Sequence, residues 1–380
     1  VSGKLTKTLG FYEATLGAKR VMLLDLGFLG DSIHLLPALW TLRQAYPEAE
    51  LHVMVSEHVT KIMEVAPYVD RVWGYPRFPR GPKWYQDFGR IRRLRAAKFD
   101  VVVNLNGSDR SSILTGLSGA RWRLGRRPED GGPVFWSSMF THIVEHPYKT
   151  ELISTQRWHC LQKAGFPGDA PEIHIDIPDE IRRNALKKAG GEGGWIHVSP
   201  FTTENYKELP PAQMAELLRR LNRLFSDKKI ILTCAANERE KAKMRALLSA
   251  LDFQPWRVFA GDLDLLDLAA IVQASCLHLG GDSGGLHVAW MTGVPTVTWF
   301  RRYDGLADWQ TDGPRHRSVV GERTPNGIAG IEVSEIMRMT EDLITNQPPE
   351  ARGVQSPQFL EPQRKGWGEP SVKKTRSEDI

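Results

Sequence analysis

Three segments place acids, hydroxyls and glycines just past short apolar runs, where a chain can present them to a ligand. In "LGFLGDSIHLLPAL", Leu26–Leu39, Asp31 follows Gly30 at the point where a strand-like run turns into a helix-like one. Gly27 and Gly30 do not form the G-x-G-x-x-G of dinucleotide folds, and a carboxylate repels phosphate. Asp31 therefore suits a general base, or else a helix cap, with Ser32 free to take over the capping. In "HLGGDSGGLHVAWMTGVPTVTWF", His278–Phe300, Asp282, Ser283, Gly284 and Gly285 stand at a helix start, with His287 within a turn. Small residues there let an anion reach free backbone N–H groups, which the helix dipole favours. In "HVSPFTTENYKELP", His197–Pro210, the Ser199 strand end and the hydroxyls of Thr202 and Thr203 can serve phosphate oxygens, and Lys207 adds a compact positive charge. In "CAANEREKAK", Glu238 sits where a carboxylate can accept ribose hydroxyls, with Glu240 as its rival.

These segments need a scaffold that brings strand ends together. Fully apolar runs ("VMLLDL", "ELHVMVS", "DVVVNLN", "GWIHVSP", "KKIILTCAA", "CLHLGG", "VPTVTWF") alternate with amphipathic ones, the pattern of parallel sheets covered by helices. Pro37 should delay or kink the first helix. The pattern occurs twice, which predicts an α/β protein of two doubly wound, Rossmann-like domains facing a central cleft, with ligands at the carboxyl ends of the strands. The join falls in the Pro- and Gly-rich Gly165–Ile181. The expected division is 1–175, 176–345, and a tail, 346–380, too rich in Pro, Gly and charge to build a core.

Length and composition agree with two globular domains: 380 residues, 41% hydrophobic and 25% charged. The polar beginning, the lack of a long apolar run and three widely spaced cysteines predict a cytoplasmic protein. The net charge is +5, yet eight Lys/Arg against one acid lie between Arg71 and Arg95, and "RWRLGRR" follows at Arg121–Arg127. Such clusters are either solvated faces or a surface for an anionic partner. No nucleic-acid motif accompanies them, and none is expected as a partner.

The segments "LGFLGDSIHLLPALWTLRQAYPEAELHVMVSE", "SPFTTENYKELP" and "GGDSGGLHVAWMTGVPTVTWF", in this order, together with "DGPRHRSVV", resemble glycosyltransferase family 9, the bacterial lipopolysaccharide heptosyltransferases. The resemblance spans roughly Arg20 to Leu343. It implies a GT-B fold with an acceptor-binding N-terminal domain and a C-terminal domain for the nucleotide sugar, usually ADP-heptose. It implies inverting, metal-independent transfer, with Asp31 as the base and Lys207 on the leaving phosphate. Ser199, Thr202, Thr203, Glu238, Asp282, Ser283, Gly284, Gly285 and His287 would surround the donor, and Gly30, Arg121 and Arg123 the acceptor, with His34 equally suited to help there or to pack. That acceptor would be an anionic glycolipid or lipopolysaccharide core, met in peripheral contact with the inner membrane, where Arg126 and the Arg90–Arg95 helix also suit the charge. The sequence departs from the family pattern at Asp25, where a basic residue is usual, at Phe201, in "CAA" before Glu238, and at Arg301 and Arg302. These departures leave open a same-fold transferase for another nucleotide sugar, or a binding protein without turnover.

Inverting transfer needs one base for the acceptor hydroxyl and one stabiliser for the departing diphosphate, which leaves without a proton. A carboxylate and an ammonium suffice, so no cofactor or metal is expected. No Asp-x-Asp pair suited to Mg²⁺ stands at a strand end, and "GDLDLLD" reads as the capped start of a helix.

Overall fold

The computed structural model describes residues 10–77, 82–172, 174–325 and 327–346, without the side chain of Trp84. Apart from Asn346, the expected tail lies outside the described residues.

Two sheets form. The first holds β1 (Arg20–Leu24), β2 (Glu50–Ser56), β3 (Arg71–Tyr75), β4 (Val101–Asn104), β5 (Trp122–Arg126) and β6 (His142–Val144), in the order β3-β2-β1-β4-β5-β6, all parallel. The second holds β7 (Trp195–Ser199), β8 (Ile230–Cys234), β9 (Arg257–Ala260), β10 (Ser275–Gly281), β11 (Thr296–Arg301), β12 (His316–Thr324) and β13 (Gly327–Ala329), in the order β13-β12-β11-β10-β7-β8-β9. Only its edge pair, β12 and β13, runs antiparallel among the described strands. Setting β13 aside, both sheets follow the 3-2-1-4-5-6 order of nucleotide-binding folds, as the alternating pattern requires. The α/β, GT-B architecture is thus present.

That order fixes where ligands go. The chain turns in opposite directions from the two central strands, opening a crevice at their carboxyl ends. In the first sheet the central pair is β1 and β4; in the second it is β7 and β10. The Asp31 loop leaves β1, the Ser199 loop leaves β7 and the Asp282 loop leaves β10, so three of the four chemical segments emerge at switch points.

The inner strands are buried on both faces, which is why they read as continuous apolar runs: Val21–Leu24, Val101–Val103 and Ile230–Leu232 are each buried along their length. The first helix restarts as expected: Leu29–Ile33 ends, His34 and Leu35 intervene, and Leu36–Ala45 begins with Pro37 in its first turn, where no N–H is missed. The described residues of 164–178 form no helix or strand. An apolar layer then joins the halves: helices Leu29–Ile33 and Thr60–Glu64 meet helices Gly284–Met291 and Leu265–Gln273, and one core cluster runs through Ile33, Ile62, Ala269 and Val288.

Candidate active site

Asp31 sits in the third position of the short Leu29–Ile33 helix, where its side chain reaches back: Oδ2 accepts the Phe28 N–H at 2.8 Å. Gly27 makes this possible, since a Cβ there would lie 2.2 Å from that of Asp31. The expected alternative cap does not form: Ser32 is buried and its Oγ has no partner. Asp31 thus takes on backbone capping through Oδ2 and still keeps 21% of its side chain open.

Its surroundings are ionic. Asp25, fully buried, accepts from the Gly27 N–H (2.7 Å), Asn106 Nδ2 (3.0 Å) and Arg157 Nη2 (2.5 Å). Arg157, on helix Ile153–Lys163, also donates Nη1–H to the Asp31 backbone carbonyl at 2.6 Å, and its Nη2 lies 3.8 Å from Asp31 Oδ1. Burial, and then the neighbouring Asp25 charge, push the Asp31 carboxyl above its ordinary value, against the pull of Arg157, the Phe28 N–H and Arg77. A carboxyl raised in this way is a better proton acceptor. The sequence marks Asp25 as unusual but carries no signal for Arg157, an arginine in mid-helix 126 positions away from Asp31.

Across the cleft, a cavity of about 340 Å³ is lined by Ser199, Phe201, Thr202, Thr203, Thr233, Glu240, Ser283, Gly284 and Gly285, with Leu29 from the first half. Ser283 makes no side-chain cap, and the Leu286 N–H donates to the Ser283 carbonyl at 3.1 Å, so it is the Gly284 and Gly285 N–H groups that this first turn can offer a ligand. Thr202 spends its hydroxyl proton on the Glu204 carbonyl (2.8 Å), which shapes the turn; Thr203 is exposed. Lys207 Nζ meets Asp282 Oδ2 at 2.6 Å beside the cavity. Gly281 allows this approach, because a Cβ there would come within 2.9 Å of the Lys207 carbonyl oxygen.

Glu238 is not at the cavity: its side chain is 83% exposed and pairs with Lys241 at 3.4 Å. Glu240 lines the cavity instead, accepting the Ala235 N–H at 2.8 Å. The reason is local. Asn237 caps helix Glu238–Ser249 by accepting the Glu240 N–H, and Glu240, in the third position, folds back onto Asn237 Nδ2. Asn-x-x-Glu is a capping-box spacing, so the sequence held this signal.

The four acceptor candidates lie in separate settings. Gly30 does not clear room for a sugar; a Cβ there would lie 2.7 Å from the His287 ring, so this glycine lets the two halves close. His34 is buried, its ring tilted against Trp290 with centroids 4.4 Å apart, and its Nε2 lies 3.3 Å from His287 Nδ1. Trp309 packs on both rings. Burial holds His34 well below the ordinary histidine range and His287 at about 4, so both are neutral packing partners across the interface. Arg121 and Arg123 lie at the amino end of β5, away from the strand ends that face the cleft; Arg121 covers Trp122, and Arg123 donates to the carbonyls of Met139 and Ala120. Arg126 is buried and donates to Gln156 Oε1 (2.7 Å) and the Pro147 carbonyl (2.9 Å).

Among the described residues, one group has metal-ligand spacing: His146, Glu151 and His159. Glu151 Oε1 already accepts from both imidazoles, at 2.9 and 2.7 Å. A metal on His146 Nε2 would leave Nδ1–H buried without an acceptor, contrary to the second-shell support that metal-bound histidines have. Hydrogen bonding accounts for the group. Asp264 of "GDLDLLD" caps helix Leu265–Gln273 by accepting from Leu266 and Asp267 N–H, as expected, and also pairs with Lys61 at 2.9 Å.

Comparison with known proteins identifies the family and the fold. The family model described as glycosyltransferase family 9 (heptosyltransferase) matches residues 89–307. Lipopolysaccharide heptosyltransferase 3 of Escherichia coli is 22% identical over 73% of this chain and 82% of its own length. Lipopolysaccharide heptosyltransferase 1 of Pseudomonas aeruginosa is 24% identical over 74% and 78%. Among solved structures, a family 9 glycosyl transferase from Veillonella parvula superposes with a TM-score of 0.74 at 20% identity, covering 86% of this chain and 97% of that one. The E. coli heptosyltransferase WaaC with ADP gives a TM-score of 0.67 at 19% identity, over 85% and 99%.

Proposed function

The chain belongs to glycosyltransferase family 9 and is a glycosyltransferase, and from that premise we propose that it moves heptose from ADP-heptose to a lipopolysaccharide inner core, inverting the anomeric centre. The observation that carries the reading is a cavity shared by the two halves: Leu29, on the short helix that carries the raised carboxyl of Asp31, lines it together with Ser283, Gly284 and Gly285 at the start of helix Gly284–Met291. In this reading the diphosphate rests on Ser199, Thr203 and the Ser283–Gly285 turn. Asp31 takes the acceptor hydroxyl's proton as that oxygen attacks the anomeric carbon. The glycosidic bond to phosphate breaks, and Lys207, released from Asp282, meets the departing charge. No metal is required by these steps. The two lipopolysaccharide heptosyltransferases above and a structure containing ADP support the choice of donor class.

For the acceptor side, helix Phe88–Ala97 offers exposed Arg92, Arg93 and Arg95 beside exposed Tyr85 and Phe88, a composition suited to an anionic lipid interface. No helix among the described residues is long and apolar enough to cross a membrane. The test of the donor is titration calorimetry with ADP-heptose against UDP- and GDP-sugars, followed by transfer to truncated core acceptors. Tight binding and turnover with ADP-heptose support the reading. Preference for another nucleotide sugar would move the chain to a different transfer within the same fold.

A further inference from the structure

Beneath the donor cavity a line of buried polar side chains crosses three neighbouring strands. His278 on β10 is in register with His197 on β7, with ring centroids 5.0 Å apart and Nδ1 facing Nδ1 at 2.8 Å. His197 Nε2 lies 2.9 Å from Thr233 Oγ1 on β8, which lies 3.1 Å from Ser199 Oγ. Ser199 and Thr233 both line the cavity. A Cβ on Gly285 would come 2.7 Å from Ser199 Oγ, so the hydroxyl abuts the first turn of helix Gly284–Met291. Both imidazoles are fully buried, and His278 Nε2 has no partner.

Burial keeps both rings neutral: His197 is held at about 3 and His278 well below its ordinary value. A neutral imidazole has one N–H and one lone pair, so one ring must donate across the Nδ1–Nδ1 contact. If His197 donated, His278 would carry its proton on Nε2, a buried N–H without an acceptor. An orphaned buried N–H is rarer than an unused lone pair. His278 therefore donates from Nδ1. His197 accepts there, carries its proton on Nε2 and donates to Thr233. Once Thr233 Oγ1 accepts from His197, Ser199 Oγ is the acceptor in reach for the Thr233 proton, whereas Ser199 borders the cavity; the Thr233 proton therefore goes to Ser199 Oγ and the Ser199 proton points into the cavity.

We propose that His278, His197 and Thr233 form a one-way hydrogen-bond relay that makes Ser199 a fixed donor, committing this corner of the cavity to an anionic oxygen such as that of a diphosphate. The ligand class rests on the donor-cavity reading above; the relay's direction does not. The two histidines are positioning residues, since neither reaches the cavity.

The direct test is long-range ¹H–¹⁵N correlation NMR on histidine-labelled full-length protein. The expected spectrum shows His278 as the Nδ1–H tautomer and His197 as the Nε2–H tautomer. Reversed tautomers, or an imidazolium at either site at neutral pH, would overturn the relay. The functional arm compares ADP and adenosine by calorimetry. Ser199→Ala should weaken ADP about ten- to a hundredfold, the loss of one hydrogen bond to a charged group. His278→Leu should weaken ADP by about two- to tenfold and leave adenosine unchanged. Unchanged ADP affinity in a folded His278→Leu protein would refute the proposal. If that variant fails to fold, the tautomers of the wild type still decide. If wild type binds no ADP, the donor reading fails while the tautomers still test the relay.

Discussion

Arg157→Met removes the guanidinium that Asp25 meets at 2.5 Å, and leaves a fully buried carboxylate with Asn106 and one backbone N–H for company. Breaking a buried ion pair from one side costs about 3–5 kcal/mol. That is a large part of the roughly 5–15 kcal/mol that holds a domain folded. For a unit of this size each kcal/mol moves the melting temperature by about 2–4 °C, so a fall of roughly 6–20 °C is expected. The second consequence is chemical. Asp31 is raised by burial and by Asp25, and lowered by Arg157. A base works only when ionised, so the rate falls as pH drops through the raised value. Without Arg157 that acidic limb should move to higher pH; in Asp25→Asn, which removes the repelling charge, it should move to lower pH. The assays are denaturant or thermal unfolding at pH 7 and kcat/KM against pH. A loss under about 1 kcal/mol, within the range of ordinary surface changes, or limbs that move in the same direction in both variants, would refute the reasoning.

Asp31→Asn should be more stable than wild type at pH 7. An acid raised in the folded state resists ionisation there, so it costs stability above its ordinary value of 3.8, and the advantage of Asn should vanish below it; unfolding at pH 3.5 and 7 checks the sign. Gly30→Ala drives a methyl to 2.7 Å from the His287 ring, so it should cost about 1–3 kcal/mol and loosen domain closure, read as raised KM for the donor. Glu240→Ala removes the acceptor of the Ala235 N–H and of Asn237 Nδ2, and should cost about 1–3 kcal/mol, whereas Glu238→Ala should stay within about 0.5 kcal/mol and keep full donor affinity.

The sheets were legible because central parallel strands are apolar on both faces: β1, β2, β4, β7, β8 and β10 each begin or end within two residues of their apolar runs. β5 was hidden because "RWRLGRR" reads as surface charge. Only the fold shows that Arg126 is buried among the Pro147 carbonyl and Gln156, and that Arg123 binds carbonyls. The loops at the switch points were found from glycines and hydroxyls, since these follow from local backbone needs. Asp31 was legible as a carboxylate after a strand; that it folds back onto the Phe28 N–H depends on Gly27. The surroundings of Gly30 and His34 were not legible. His34 and Gly30 lie near Asp31 in sequence, but His287, which fills the space beside them, comes from the other half of the chain. Arg157 likewise reaches Asp25 only through tertiary packing.

The most direct test of the account is sugar transfer from ADP-heptose to a truncated core acceptor by wild type and by Asp31→Asn of demonstrated fold. The expected result is product with wild type and a loss of about 10²–10⁴-fold in kcat for the variant, with donor affinity retained. Near-normal turnover by Asp31→Asn would contradict the base assignment on which the reading of this cleft depends.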